Sequence, residues 1–456
     1  MARTHSPPEL AATLRALLVS YSFPPVGGAG VQRVLKLTKY LPHHGIEPRV
    51  LTVANPSVPV LDPSLEKDFP PGLQVLRART FEPGYAMKQA AWTSSAEAGA
   101  AAATPPLAKR LVKSAVKRLS GVAKELLVPD PQILWQPAAQ LEAAKALFTG
   151  DRTDVVFISG PPFSQFLLAP LARARKGTAL VLDYRDEWST YRSTYEMMGG
   201  RLTALAGDPL EAALLKLAHA VTTATEEFRA NLLERFSFLD PARVVSIPNG
   251  YDPDDFPRDL PEPPTDKLVL SYAGTVFKLT SARGLLGAIR RLHAREPELA
   301  KLLSVRFMGR IVDTELDSFE GMEELGVKRL GYLEHATVVR ELSASHRVLC
   351  ILDDVPGVER IYPAKIFELM YLGRACLTLS PEGALTRLVS KHHLGDVLPP
   401  RDEEKIAAYL EDKLRAFKAG ARVEKPTAIG IERYHRSALA GELAAVMRDA
   451  VSRAHG

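Results

Sequence analysis

A lysine and a glutamate three residues apart, just behind a Tyr-Pro pair, are the residues of this chain best suited to a phosphorylated ligand. The segment reads Arg360-Ile361-Tyr362-Pro363-Ala364-Lys365-Ile366-Phe367-Glu368-Leu369-Met370. Proline near a helix start places Lys365 and Glu368 in the first turns and on one face. A cation at the positive end of a helix is poorly placed unless it serves an anion, so a diphosphate is a sensible missing partner. Glu368 could then accept hydrogen bonds from a ribose diol. The competing explanation is an ordinary surface ion pair worth ~0.3 kcal/mol, and such pairs are common.

A second candidate is the loop Ser22-Phe23-Pro24-Pro25-Val26-Gly27-Gly28-Ala29-Gly30-Val31-Gln32-Arg33. Glycines between a strand and a helix let the backbone approach a ligand, and amides at a helix N-terminus favour an anion or a sugar hydroxyl. Gly27, Gly28 and Gly30 lack the G-x-G-x-x-G spacing of dinucleotide sites, and a tight structural turn explains them as well as a phosphate contact does.

Metal chemistry has little support. Asp252, Asp254 and Asp255, and separately Asp353 and Asp354, lack histidines or glutamates at ligand spacing. The adjacent histidines His43 and His44, and His392 and His393, point apart on a helix or strand and are expected at the solvated surface. Cys350 and Cys376 each lie inside an apolar run, which predicts buried, reduced thiols.

The elements that would hold these groups alternate between short apolar runs and helical patterns, the mark of βαβ units and parallel sheets. Strands are expected at Arg15 to Ser20, Pro48 to Val53, Leu73 to Leu76, Asp154 to Ser159, Ala179 to Asp183 and Ala220 to Thr223, with a helix over Val31 to His44. The segment from Pro248 to Pro264 holds six prolines and reads as a stiff linker. Beyond it the alternation resumes at Leu268 to Ala273, Val305 to Met308, Arg329 to Gly331, Val348 to Leu352 and Cys376 to Leu379, and a last helix covers Arg433 to Ser452. The alternation breaks between Phe81 and Gln140. That stretch carries an alanine tract, Ala98 to Ala103, and a basic amphipathic helix, Leu107 to Leu127, that would pack on the protein or lie on an anionic membrane.

Size and composition frame these choices. At 456 residues the chain suits two α/β domains. With 46% hydrophobic and 24% charged residues it is neither disordered nor fibrous. The net charge of +5, spread over that length, is compatible with anionic ligands and does not by itself argue for nucleic acid. The first ten residues lack a signal-peptide pattern, and no run approaches the ~18 apolar residues of a membrane span. A cytoplasmic protein, in contact at most with the inner face of the membrane, is expected.

Four segments in order resemble glycosyltransferase family 4, the retaining enzymes of the GT-B fold, and in particular its bacterial polysaccharide and lipopolysaccharide branch. They are Tyr21 to Val53, Ile158 to Ser189, Ala220 to Phe256, and Tyr362 to Gly383. The resemblance implies an α/β GT-B architecture of two Rossmann-like domains facing across a cleft. The N-terminal, acceptor-side domain would span 1–250, with an insertion at about 81–140. The C-terminal, nucleotide-sugar domain would span 265–430, and a helix over 431–456 would cross back to the first. It also implies a nucleotide diphosphate sugar, UDP- or GDP-linked, as donor and a sugar or lipid-linked acceptor in surface polysaccharide synthesis. No cofactor, no metal and no nucleic acid partner are expected.

Residue by residue, the resemblance assigns Lys365 and Glu368 to the donor diphosphate and ribose, with the loop glycines Gly27, Gly28 and Gly30. Ala273-Gly274-Thr275-Val276-Phe277-Lys278 matches the family segment that adds cations to the diphosphate; Thr275 stands where the family has arginine, which leaves Lys278 or Arg283 to serve. The family also pairs two glutamates separated by seven residues. Here the first position is Arg360, with Glu359 beside it, and Glu382-Gly383 is a substitute for contacting the donor sugar. A histidine that many relatives carry near Ser159-Gly160-Pro161-Pro162 is absent. The polar groups expected near the acceptor are Asp183, Arg185 and Asp186, as catalytic residues or as an Asp–Arg pair holding the loop. Two other functions remain open on these departures: a sugar-nucleotide epimerase of the same fold, and a catalytically degenerate binding or scaffold subunit.

Overall fold

The computed structural model describes residues 13–85, 87, 127–188, 201–421, 425–426 and 428–456. The alanine tract and all but the last residue of the amphipathic segment Leu107 to Leu127 lie outside them. The chain divides into two compact units: Met1–Thr223 with Leu233–Ile247 and Ala440–Gly456, and Ala224–Leu232 with Pro248–Leu439.

The first unit is built on seven parallel strands: β1 (Leu14–Val19), β2 (Ile46–Val53), β3 (Gln74–Ala78), β4 (Val155–Gly160), β5 (Ala179–Tyr184), β6 (Ala220–Thr223) and β7 (Val244–Ser246), in the order β3-β2-β1-β4-β5-β6-β7. β4, β5 and β6 are buried at every position, as strands covered on both faces must be, and so they read as continuous apolar runs. The strand order reverses between β1 and β4. Ligands of such sheets bind beyond the carboxyl ends of the strands at that reversal.

The second unit repeats the plan with six strands: β8 (Leu268–Ala273), β9 (Leu303–Met308), β10 (Val327–Gly331), β11 (Arg347–Ile351), β12 (Ala375–Leu379) and β13 (Gly395–Leu398), in the order β10-β9-β8-β11-β12-β13. Its reversal lies between β8 and β11. One face of the sheet is covered by the helices Arg283–Arg295 and Glu403–Lys418, whose Leu285, Leu286, Ile289, Leu292, Ile406, Leu410 and Leu414 join one core. The other face is covered by the helices Lys365–Leu372 and Ala384–Lys391.

The structure departs from the sequence reading at two short strands and one boundary. β7 has three residues and β13 is half-exposed, so neither presents a recognisable apolar run. Ala224–Leu232, expected within the domain 1–250, belongs to the second unit. There Ala224 and Phe228 are buried among Tyr251, Val358, Ile361 and Leu385, and the Thr225 hydroxyl donates to the Arg360 carbonyl at 2.9 Å. The last helix, Arg436–His455, contributes Leu443, Ala444, Met447 and Ala450 to the core of the first unit, to which all four belong.

Candidate functional site

In the second unit, the carboxyl end of β8 is arranged around one cation. Lys365, the first residue of the helix Lys365–Leu372, donates from Nζ to the Ala273 carbonyl at 2.7 Å and lies 3.5 Å from the centroid of the Tyr272 ring. Gly274 makes this approach possible. A Cβ there would stand 2.8 Å from the ammonium, and its φ of +141° is a backbone conformation that side chains rarely adopt. The Gly274 amide donates to the Met308 carbonyl at 2.8 Å, so the turn is anchored on β9. The Tyr272 hydroxyl (3.0 Å) and the Thr280 hydroxyl (2.6 Å) both donate to the Thr275 carbonyl and hold the loop that follows. Lys365 thus sits at the positive end of its own helix, where a charge of its sign is disfavoured, stabilised by one carbonyl and the face of an aromatic ring.

Glu368 lies one turn further along the same helix. Its Oε2 is 3.5 Å from His335 Nε2, and both side chains are partly exposed. His335 opens the helix His335–Ser343, a few residues beyond the end of β10. Sequence reasoning missed it. The available signal was position alone: a residue at the start of a helix that follows a strand, at the carboxyl edge of the sheet where open α/β folds collect functional groups.

The two other candidate cations differ. Arg283 is committed to Asp317 through Nη1 at 3.0 Å and to the Thr314 carbonyl at 2.8 Å, with Glu315 3.6 Å from Nε. Lys278 is exposed, in the 3-10 turn Lys278–Thr280, with no described partner. Glu382 is exposed beside the buried Gly383, which precedes the helix Ala384–Lys391. A Cβ on Gly383 would lie 2.6 Å from both Cα and the carbonyl oxygen of Glu359, so the structure packs this turn directly against Glu359-Arg360. Arg360 pairs with Glu359.

In the first unit, Gly28 begins the helix Ala29–Tyr40 with φ +92°, and no side chain caps that helix. The Gly27 amide donates to the Val60 carbonyl at 3.0 Å, while Gly28 and Gly30 are exposed. Arg185 donates to the carbonyls of Gly30, Pro161 and Gly160, tying the glycine loop after β1 to the turn after β4. Asp183 is fully buried, and its partner is Arg33, 150 residues away, not Arg185. Arg33 donates to it through Nε (3.0 Å) and Nη2 (2.7 Å), and to the Ile247 carbonyl through Nη1 (2.9 Å). The hydroxyls of Ser159 (2.6 Å) and Thr222 (2.7 Å) complete the set. Burial by itself pushes the Asp183 carboxyl up, but the Arg33 guanidinium and the two hydroxyls hold it below the usual carboxylate range. Asp186, three residues on, is exposed.

Comparison with known proteins relates part of the chain to a family. Residues 27–250 match the model of a glycosyl transferase 4-like domain. A glycosyl transferase 4-like domain thus occupies residues 27–250, just under half of the chain. Among curated proteins it is similar to the D-inositol 3-phosphate glycosyltransferase of Stackebrandtia nassauensis, 27% identical over 245 residues, 51% of this chain and 54% of that protein. The match therefore spans about half the length of that relative. Solved structures similar over the whole chain include sucrose-phosphate synthase from Thermosynechococcus elongatus (TM-score 0.62, 16% identity, 95% of this chain and 98% of the other). Another is Anabaena HepE in complex with UDP and glucose (TM-score 0.54, 13% identity, 97% of each). With its two parallel sheets, the chain has the GT-B fold.

Several remaining residues have structural positions. Asp252 caps the 3-10 turn Pro253–Asp255, accepting from the Asp254 amide at 3.1 Å. Asp353 takes both Nε (2.8 Å) and Nη2 (3.0 Å) of Arg401. Cys350 and Cys376 are buried free thiols on neighbouring strands, and burial pushes the Cys350 thiol up to about 11. One histidine expected at the surface is not there. His392 is buried, with its ring nitrogens 2.6 Å from the Ile429 carbonyl and 3.1 Å from the Tyr434 hydroxyl. The helix ends at this point and His393 turns to φ +53°, so the two neighbours separate into one inward and one outward residue. Among the described residues, no helix is long and apolar enough to cross a membrane.

Proposed function

We propose that the chain is a retaining, metal-independent hexosyltransferase that moves a sugar from a UDP- or GDP-linked donor to a sugar or lipid-linked acceptor in surface polysaccharide synthesis. The observation that carries this reading is the Lys365 ammonium, held over the end of β8 by one carbonyl and one ring, with Glu368 a turn away. An ammonium in that position is matched to the departing diphosphate, and the Glu368 carboxylate to the two ribose hydroxyls. Lys278 is the second cation in this reading, because Arg283 is already paired with carboxylates. Glu382 and Gly383 contact the donor sugar. Gly27, Gly28 and Gly30 offer backbone amides to the donor in this reading, and Arg185 holds their loop in place. Asp186 is the polar group offered to the acceptor, and Asp183 positions its strand end through Arg33. The activity is placed on the cytoplasmic side of the inner membrane, with the basic segment Leu107 to Leu127 as the contact to anionic lipid.

The test is titration with UDP- and GDP-sugars of the native chain and of the double variant Lys365→Ala, Glu368→Ala. Losing charge-assisted hydrogen bonds at about 1.5–3 kcal/mol each weakens binding by at least ten-fold. Unchanged affinity removes these residues from the donor site. Product made from an α-linked donor, read by NMR at the anomeric carbon, must keep the α configuration.

A further inference from the structure

At the amino edge of the first sheet, opposite the glycine loop, four side chains make an arrangement that their own hydrogen-bonding chemistry leaves incomplete. His219 immediately precedes β6 and is buried. Its Nδ1 accepts from the Leu180 amide at 2.8 Å, which in a neutral imidazole puts the ring proton on Nε2. Nε2 faces the guanidinium of Arg173, at the end of the helix Ala169–Ala174. A guanidinium only donates, so the contact sets one donor against another. Neither tautomer removes the conflict. Moving the proton to Nδ1 would oppose it to the Leu180 amide, and the doubly protonated ring opposes both.

The surroundings add positive charge. Arg243, just before β7, and Arg453, in the last turn of the C-terminal helix, both act on the His219 ring along with Arg173. Arg453 is paired with Asp449 at 2.7 Å and Arg243 with Asp240 at 3.5 Å, whereas Arg173 has no carboxylate partner among the described residues. Desolvation first, then these three arginines, push His219 down to about 4, and no carboxylate opposes them.

The second unit contains its own comparison. His346 precedes β11 as His219 precedes β6, and its Nδ1 likewise accepts a strand amide, from Val269 at 3.1 Å. Its ring meets the edge of Phe417, and the nearby Arg374 is occupied with the Ser343 carbonyl and Glu262. The two histidines thus make the same backbone contact at different places in their sheets, and the His219 ring faces a guanidinium where the His346 ring meets an aromatic edge.

We propose that Arg173, His219 Nε2–H, Arg243 and Arg453 form an anion site for a phosphate group, separate from the donor-binding residues. A tetrahedral anion seated between Arg173 and His219 accepts from both and resolves the conflict. The phosphate comes either free in solution or on an anionic phospholipid headgroup, and these share one chemistry.

The experiment follows the His219 and His346 ring signals by NMR on the full chain while inorganic phosphate replaces chloride at constant ionic strength. Phosphate is expected to shift the His219 signals saturably and raise its pKa from about 4 to about 5 or above, leaving His346 unchanged. Arg173→Ala, a change at an exposed residue, abolishes the His219 response. Phosphatidylcholine vesicles with and without phosphatidylglycerol separate the sources. Arg173-dependent binding to the anionic vesicles assigns a lipid phosphate; a response to free phosphate alone assigns a soluble one. If neither phosphate nor anionic vesicles move the His219 signals, or if Arg173→Ala leaves the response intact, the site does not exist. The donor titrations above are unaffected by either outcome.

Discussion

Replacing Asp183 by asparagine separates a positioning role from a catalytic one. The change keeps the shape of the side chain and removes its charge, so the Arg33 guanidinium remains buried with no counter-charge while an amide N–H₂ faces its donors. Breaking one side of a buried, hydrogen-bonded ion pair costs about 3–5 kcal/mol, far above the ~1 kcal/mol ceiling of an exposed pair. With a urea slope of about 2 kcal/mol/M, the unfolding midpoint of the first unit falls by about 1.5–2.5 M. Arg33→Met with Asp183→Leu leaves no buried charge, and its loss is smaller than the sum of the two single variants. The pH dependence has a definite sign. The folded carboxyl lies below its unfolded value of about 3.9, so the pair's stabilisation is present above that pH and is lost as pH falls through the depressed folded value. Asp183→Asn lacks this acid-side loss. The measurements are urea unfolding followed by circular dichroism from pH 3 to 7, and turnover at pH 7. An asparagine variant with native stability and no turnover would refute the positioning role and make Asp183 a group that acts on substrate.

Two further outcomes are expected. Gly274→Ala strains the backbone by about 1–3 kcal/mol, read in thermal unfolding, and also forces the Lys365 ammonium from its place, so donor affinity falls along with stability. A variant that loses stability while retaining full donor affinity would show that the ammonium position is irrelevant to binding. Lys278→Ala weakens donor binding in calorimetry by roughly ten-fold or more, the scale of a lost charge-assisted contact, while Arg283→Ala leaves it nearly unchanged and destabilises the turn at Asp317. The reverse ranking would exchange their roles.

Most of the sheet architecture was legible in the sequence because parallel strands bury both faces. Val155–Gly160 and Leu268–Ala273 are apolar runs that no surface helix would carry. Gly395–Leu398 sits at an exposed edge and lacks that mark. Lys365 and Glu368 could be read because the spacing that pairs them is local, one helical turn. The Arg33–Asp183 pair could not. Its partners meet only because β1 and β5 both flank β4, and the sequence suggested the nearer Arg185. His335 had no local pattern to announce it, and His392 was misread because the backbone reversal at His393 cannot be seen in a pair of identical residues.

In the donor site proposed above, the Ala273 carbonyl that holds Lys365 would work as a placeholder. An arriving anion does not meet a loose, hydrated lysine; it displaces an oxygen already in contact, and the swap leaves the ammonium nearly where it was. Little side-chain freedom is lost at that moment, which spares affinity, but the exchange subtracts the carbonyl contact from every complex. On departure the same oxygen recaptures the charge, so the unliganded state never carries a stranded cation and the ligand is easier to shed.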